Sequence, residues 1–309
     1  MANFLTDDID FSAYERETEA QARVKPASVY VAELIDRLGK PRQIVGQPLP
    51  WTKARSIFRF RPGEMTLWAG VNGHGKSLMT GLVALDMVAR SRKVCIASFE
   101  MKPHSTLERM LRQWCGFPAC LFDGNAQGVS DTRELYEQFD AMADQHLWFY
   151  DQQGTVATRQ MIAVARYCAK ELGIEHLFID SLMKCVRGTD DFNAQKNFVD
   201  ELTSIARDYG CHIHLVHHIR KLENELKKPD KTDVKGAGEI TDQVDNVLLV
   251  WRNKAEQRKE ADPDAALICC KQRHGEWEGG VNLWFHAESQ QFVEVPKGEP
   301  INFSTREEW

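Results

Sequence analysis

The sequence feature that most constrains the fold is a glycine-rich loop, "GVNGHGKS", which spans Gly70–Ser77. The loop follows the apolar strand pattern "MTLWA" and opens the helical pattern "SLMTGLVALDMVA". Its spacing matches G-x-x-x-x-G-K-[ST], in which backbone N–H groups point at phosphate oxygens beside the positive end of a helix. The sequence therefore predicts a strand–loop–helix unit that binds the phosphates of a nucleotide.

Residue types within this loop have distinct expected roles. Lys76 is expected to reach the β- and γ-phosphates, and Ser77 to ligate Mg²⁺. The alternative, a glycine-rich turn that only connects a strand to a helix, is disfavoured by the correct flanking patterns. The predicted nucleotide contacts are Gly70, Val71, Asn72, Gly73, His74, Gly75, Lys76, Ser77 and Leu78.

Strand patterns and helix patterns alternate along the chain around and after this loop. Strands are predicted at residues 65–69, 94–99, 147–150, 177–180, 212–217 and 246–251, and helices at 77–90, 103–114, 133–144, 158–172 and 193–209. Such alternation predicts a mainly parallel sheet with helices on both faces. Closely spaced strands at 266–271, 281–285 and 292–295 predict an antiparallel extension. The predicted fold class is therefore α/β.

The segments outside residues 57–296, which form the predicted ATPase domain, differ in composition from it. Residues 1–27 are acidic and aperiodic, which predicts a flexible arm. Residues 28–56 contain a helical apolar stripe at 28–38 and then a Pro- and Gly-rich linker. Residues 297–309 form an acidic tail that ends in Trp309 and predicts disorder.

Overall charge and composition limit the possible function classes. The chain has 39 Lys and Arg against 45 Asp and Glu, a net charge of −6, so any nucleic-acid site must be a local groove. Its apolar runs are far shorter than the roughly 20 residues that span a bilayer. The eight cysteines lack CxxC spacing, and no secretory or import signal is evident. These features predict a cytoplasmic protein without a membrane partner.

Polar residues follow several of the predicted strands. Asp180 ends "HLFID", a position suited to holding Mg²⁺, and Glu100 in "SFEM" could activate an attacking water. His217 and His218 end another strand, where a polar side chain could sense a phosphate. Lone carboxylates also cap helices, and paired histidines also lie on surfaces, so each residue has an ordinary structural alternative.

Two basic loops are candidates for binding single-stranded DNA through its phosphates, without reading sequence. One follows Asp180, and the other, too long for an ordinary connection, follows His218. Taken alone, each could be a solvated surface loop. The candidate residues are Lys184, Arg187, Arg220, Lys221, Lys227, Lys228, Lys231, Lys235 and Gly236.

The ordered motifs "GVNGHGKS", "SFEM", "FIDSL", "VHHIRK", "KGAGEITDQVDNVLLVWR" and "KQRHG" together resemble the RecA-like helicase domain of the DnaB family. The helicase half of phage primase–helicases is the most similar, and the likeness covers roughly residues 58–295. It implies a RecA-like P-loop NTPase core that uses Mg²⁺ and ATP, or another NTP or dNTP. It also implies that Glu100 is the catalytic base, Asp180 the acid of the metal shell and His218 the phosphate sensor.

The resemblance also assigns residues that would act between subunits or on the nucleotide base. Lys271 and Arg273, two apart on a strand, resemble the cations that act in trans; a solvated strand face is the alternative. Arg252 resembles an Arg that stacks on the base, with Phe285 on the opposite face. The chain departs from the bacterial members in two places: His replaces Gln at the sensor, and "GAG" replaces "GSG".

The function that the resemblance implies is a replicative DNA helicase. Such an enzyme would translocate on single-stranded DNA in the 5′–3′ direction and unwind duplexes as a ring hexamer linked through residues 28–56. Its expected partners are a primase and a replicative polymerase in a bacterial or phage-infected cell. The alternatives are a RecA-like recombination or repair ATPase that binds single strands without unwinding, and an ATP-gated assembly module.

Overall fold

The computed structural model describes residues 3–4, 12, 27–38, 45–116, 129–186, 188, 191–220, 226–235 and 237–303. The strands are β1 (Asn3–Phe4), β2 (Gln47–Pro48), β3 (Arg59–Phe60), β4 (Met65–Gly70), β5 (Val94–Ser98), β6 (Leu147–Phe149), β7 (His176–Asp180), β8 (His212–His218), β9 (Asn246–Arg252), β10 (Ala265–Gln272), β11 (Gly279–His286) and β12 (Gln291–Val293). The helices are α1 (Ala27–Leu38), α2 (Thr52–Arg55), α3 (Lys76–Ala89), α4 (Pro103–Cys115), α5 (Val129–His146), α6 (Thr158–Lys170), α7 (Leu182–Cys185), α8 (Phe192–Tyr209) and α9 (Ala237–Thr241).

The main sheet has the strand order β1-β6-β5-β7-β8-β4-β9-β10-β11-β12. Strands from β1 to β9 in this order pair in parallel, whereas β9 to β12 pair antiparallel. Every residue of the central strand β4 is buried, as expected of a parallel strand that is covered on both faces. The predicted α/β fold, with its antiparallel extension, is confirmed.

Helices cover both faces of this sheet. Because successive strand residues point to opposite faces, Leu67 packs in the layer that contains α6 and α8, and Trp68 packs in the layer of α3, α4 and α5. The parallel strands end at one edge of the sheet, and the glycine-rich loop lies there. None of the helices in the described ranges is long and apolar enough to cross a membrane.

The packed core begins upstream of residue 57, inside the segment predicted as a linker. The strands β2 and β3 form a small antiparallel pair, and Leu49, Trp51 and Ala54 are buried. The Trp51 indole Nε1–H donates to the carbonyl oxygen of Phe292 at 2.7 Å. Apolar residues between the prolines and glycines therefore attach this segment to the far end of the chain.

The two terminal segments differ in how far the structure tests their predictions. The helix predicted at 28–38 is confirmed as α1, and its apolar residues Tyr30, Val31, Leu34, Ile35 and Leu38 are exposed. In the tail, Phe303 is buried and its N–H donates to the Trp114 carbonyl at 3.2 Å, so the disorder predicted for 297–309 is wrong up to this residue. Residues 304–309, with Trp309, lie outside the described part.

A chain of buried histidines crosses the α3 side of the sheet. Trp68 Nε1–H donates to His214 Nδ1 at 3.2 Å, so the proton of His214 lies on Nε2, which is 3.2 Å from His176 Nδ1. His212 shares a hydrogen bond with Thr66 Oγ1 at 2.8 Å. Burial lowers the pKa of His212 to about 4 and lowers the pKa values of His176 and His214 well below the ordinary range. All three rings are therefore neutral in the folded protein.

This histidine chain predicts acid sensitivity of folding. The unfolded histidines gain protons below about pH 6.5, whereas the native ones stay neutral, so stability is present above that pH and falls as the pH decreases. Each such group adds about 1.4 kcal/mol per pH unit to the slope of the unfolding free energy. Urea titrations between pH 6 and 5 should show a slope smaller by about this amount in His176→Gln. The same substitution at the exposed His104 should not change the slope, and equal slopes in all three proteins would contradict the account.

Candidate functional site

The glycine-rich loop adopts a conformation that requires its glycines. Gly73 and Gly75 have φ values of 76° and 88°, in the left-handed region that disfavours side chains. A Cβ on Gly70 would lie 2.4 Å from the Val250 carbonyl oxygen, so only glycine lets the loop start close against β9. The loop therefore ends with its backbone at the N-terminus of α3, where N–H groups are unpaired within the helix and favour an anion.

Lys76 is held inside this loop. Its ammonium Nζ donates to the carbonyl oxygens of Gly70 at 2.9 Å and Val71 at 3.1 Å. Burial lowers the Lys76 pKa to about 8, and the nearby charges of Asp180 and Glu100 oppose that shift. A bound phosphate would supply a stronger, charged acceptor than either carbonyl, as the predicted role requires.

Ser77 and Asp180 meet at the carboxyl edge of the sheet. The Ser77 hydroxyl donates to Asp180 Oδ2 at 2.5 Å. Burial raises the pKa of Asp180, whereas the Ser77 hydrogen bond and the charges of Lys76 and Arg109 lower it. A hydroxyl and a carboxylate side by side are oxygen ligands of the kind that Mg²⁺ takes, so the pair fits the predicted metal site.

Glu100 lies just beyond the end of β5, at the same edge. Its side chain is about half exposed, and its Oε1 is 4.0 Å from the Lys184 ammonium. The Glu100 charge also acts on the pKa values of Lys76, Asp180 and His218. The carboxylate is thus near the loop that would hold the γ-phosphate, as a water-activating base must be.

The two adjacent histidines of β8 face opposite sides of the sheet, which the sequence alone left open. His217 is fully buried, and its Nε2 is hydrogen-bonded to the Lys235 carbonyl at 2.9 Å. His218 shares its face with Val216 on the α3 side, where burial and the Lys76 charge lower its pKa. This alternation supports His218 as the residue nearer to the phosphate loop.

The residues predicted to hold the base lie beside the phosphate loop. The Arg252 backbone N–H donates to His74 Nδ1 at 3.2 Å, which connects β9 to the loop. The Phe285 ring lies 5.5 Å from the Phe292 ring, and a Cβ on Gly75 would be 3.4 Å from Phe292. Phe285 also borders a cleft of about 520 Å³. The position fits a nucleotide base, although the His74 contact has no signal in the sequence.

Lys271 and Arg273 lie at the opposite end of the sheet from the phosphate loop. The Lys271 Nζ donates to the Thr241 carbonyl at 2.7 Å, and Arg273 Nε pairs with Asp245 Oδ1 at 3.1 Å. Asp245 in turn accepts from the N–H of Met65, the first residue of β4, at 2.9 Å. Since β4 runs from there to Gly70, about 20 Å of strand separates these cations from the nucleotide loop of their own chain.

The predicted DNA-binding residues divide between described and undescribed positions. Arg187, Lys221 and Gly236 lie outside the described residues. Lys228 Nζ donates to Asn282 Oδ1 at 3.1 Å and lies 5.5 Å from the centre of the Trp251 ring, so it packs against the antiparallel strands.

The described part of the second basic loop is attached to β8. The Arg220 N–H donates to the Asp233 carbonyl at 2.7 Å, and the Lys235 N–H donates to the His218 carbonyl at 3.3 Å. A short 3-10 turn at Lys231–Asp233 lies between these two contacts. The loop is therefore joined directly to the strand that carries the predicted sensor.

Arg109 on α4 is a site residue that the sequence analysis did not single out. It borders a small cavity with Ser77 and Asp180, and burial lowers its pKa while the Asp180 charge raises it. Its place nine residues after Glu100, on the helix that follows "SFEM", was the signal available in the sequence.

Comparison with known proteins agrees with this geometry. The DnaB-like helicase C terminal domain family matches residues 55–294. The chain is 24% identical to the replicative DNA helicase DnaB of Helicobacter pylori over 244 residues, which cover 77% of this chain and 49% of the relative. It is 24% identical over 231 residues to an Arabidopsis thaliana Twinkle homolog protein, chloroplastic/mitochondrial, covering 69% of this chain and 31% of that protein. The chain thus spans about half the length of the bacterial relative, or less of the plant one.

Solved structures share the fold. The ATPase domain of a phage helicase has a TM-score of 0.72 and 19% identity, over 87% of this chain and 97% of that one. A DnaB-like replicative helicase, described with its interactions with primase, has a TM-score of 0.69 and 17% identity, over 89% of this chain and 68% of that one. The match over residues 55–294 confirms the resemblance found in the motifs: the chain belongs to the DnaB-like helicase C-terminal domain family.

Proposed function

We propose that this chain is an NTP-driven replicative DNA helicase that translocates 5′–3′ on single-stranded DNA and unwinds duplexes as a ring hexamer. The observation that carries the proposal is the Ser77–Asp180 hydrogen bond beside the buried Lys76, within a chain of this family. These residues occupy the positions that a nucleotide-hydrolysing enzyme needs. Glu100, at the same edge, supplies the base that distinguishes hydrolysis from binding alone.

The residues of the site divide the work of hydrolysis. Loop N–H groups and Lys76 bind the phosphates of ATP or another NTP or dNTP, and Glu100 takes the proton from the attacking water. Ser77 and Asp180 would hold Mg²⁺, which neutralises charge on the transferred phosphoryl group. His218, on the α3 side of β8, would respond to loss of the γ-phosphate and pass the change to Lys235 through its own carbonyl.

The ring hexamer is supported by groups that have no role within one subunit. Lys271 and Arg273 are too far along the sheet to reach their own nucleotide loop, so they would complete a neighbour's site. The exposed apolar face of α1 would dock on an adjacent subunit, as residues 28–56 were predicted to do. Both surfaces require a second copy of the chain.

The DNA site is proposed along the basic loops at the carboxyl edge of the sheet. Lys184 and Lys235 lie beside Glu100 and His218, respectively, so contact with a DNA phosphate would be felt at the hydrolysis site. Such contacts are electrostatic and bind without sequence preference.

A primase and a replicative polymerase are the proposed partners. The primase is supported by the similar DnaB-like helicase and its interactions with primase. The polymerase remains a proposal from the tail sequence, most of which lies outside the described residues. Strand displacement on forked DNA tests the helicase proposal against the alternative of a RecA-like ATPase that binds single strands without unwinding.

A further inference from the structure

The turn that carries the catalytic carboxylate contacts the turn that carries the first DNA-loop lysine. Glu100 Oε1 is 4.0 Å from Lys184 Nζ, with the two side chains 46% and 35% exposed. Both groups therefore remain in contact with water and with any ligand that approaches the edge of the sheet. The ion pair joins a residue proposed for hydrolysis to a residue proposed for DNA binding.

The backbones of the two turns are held by one connecting segment. The Gly154 N–H donates to the Phe99 carbonyl at 3.0 Å, and the Val156 N–H donates to the Lys184 carbonyl at 3.0 Å. The Gln153 side-chain amide also donates to the Met101 carbonyl at 3.3 Å. Because these bonds fix the backbone on both sides of the pair, the parts that can move are the Glu100 and Lys184 side chains.

Other charges around Glu100 belong to the nucleotide site. Lys76, Asp180 and His218 each interact electrostatically with Glu100. Lys184 is different, because it lies on α7, at the start of the loop after Asp180, and has no place in the phosphate-binding motif. The charge of Lys184 is therefore available to a ligand other than the nucleotide.

We propose that Lys184 is a positioning residue that holds Glu100 away from the attacking water until a phosphate of single-stranded DNA takes the lysine. The inference rests on the proposed function and adds how DNA stimulates hydrolysis at that site. An ion pair between partly exposed groups is weak, so a DNA phosphate can displace it. When the ammonium moves to the phosphate, the carboxylate is free to accept a proton.

Linkage gives this proposal a test that does not depend on hydrolysis. If Glu100 competes with DNA for Lys184, removing the carboxylate must strengthen DNA binding by the same factor by which DNA weakens the ion pair. With a non-hydrolysable nucleotide, Glu100→Gln should bind a single-stranded oligonucleotide about two- to fivefold more tightly, the range for an exposed ion pair. The gain should disappear in a Lys184→Met background and persist in Lys227→Met.

The hydrolysis rate without DNA gives the second test. Lys184→Met should raise the DNA-free rate about two- to fivefold and reduce the stimulation by DNA, whereas Lys184→Arg should keep both near wild type. Lys170→Met is the matched control, since Lys170 forms a similarly exposed pair with Glu171 at 3.4 Å, away from the site. That control should not change the DNA-free rate.

Two results would overturn the inference: an unchanged or lower DNA-free rate in Lys184→Met, or a Glu100→Gln gain in DNA affinity that persists without Lys184. A failure of the proposed function looks different, because wild type would then show no DNA-stimulated hydrolysis at all. Wild-type stimulation without these effects would remove only the role of Lys184.

Discussion

Replacing Glu100 by glutamine is expected to lower NTP turnover by about 10²–10⁴-fold while nucleotide binding stays within about twofold of wild type. Glutamine keeps the size of the side chain but cannot accept the proton of the attacking water, so only the chemical step is lost. Steady-state hydrolysis and titration with a fluorescent nucleotide measure the two effects separately.

Two further variants make the Glu100 result specific. Glu108→Gln on α4 is a matched control, since Glu108 is exposed and has no role in the site. Lys76→Ala, in contrast, should lose hydrolysis together with phosphate binding because its ammonium lies inside the loop. Wild-type turnover in Glu100→Gln would show that another group activates the water.

Replacing Arg273 by alanine is expected to lower turnover by about 10³-fold without loss of nucleotide binding, as removal of an arginine that acts in trans does. Mixing this variant with Lys76→Ala should restore part of the activity. In a mixed ring, some interfaces combine an intact phosphate loop from one subunit with an intact Arg273 from the next. No recovery at any mixing ratio would contradict a role between subunits.

Arg273 also pairs with the buried Asp245, so its effect on folding must be separated from its effect on catalysis. Arg207 supplies the control, because its Nη2 lies 3.9 Å from the same carboxylate and it has no proposed role in hydrolysis. Arg207→Ala should match any loss of thermal stability caused by weakening of the Asp245 cluster, but should retain turnover. Equal losses of turnover in both variants would mean that Arg273 acts through Asp245 alone.

The elements that bury continuous apolar runs were predictable from the sequence. The strand predicted at residues 65–69 is observed as Met65–Gly70, and the helix predicted at 158–172 as Thr158–Lys170. Buried parallel strands and amphipathic helices have strong local patterns, because burial demands apolar residues at fixed periods. The phosphate loop was predictable for a similar reason, since its geometry requires glycines at fixed spacing.

Contacts between distant segments were not predictable in the same way. Trp51 and Phe292 are joined by a hydrogen bond across 241 residues, which is why a segment rich in prolines looked like a linker. The contact between Lys184 and Glu100 also depends on two turns that meet only in the folded sheet. The choice between His217 and His218 required the face of β8, which a one-residue change in register would reverse.

Strand displacement on forked DNA tests the central claim most directly. With NTP and Mg²⁺, the wild-type protein should release the labelled strand from a fork that has a 5′ single-stranded tail, and should fail on a duplex that has only a 3′ tail. Glu100→Gln should bind the same fork without releasing the strand. Hydrolysis stimulated by single-stranded DNA, with no strand release from any fork, would contradict the helicase and indicate a RecA-like ATPase that binds single strands without unwinding.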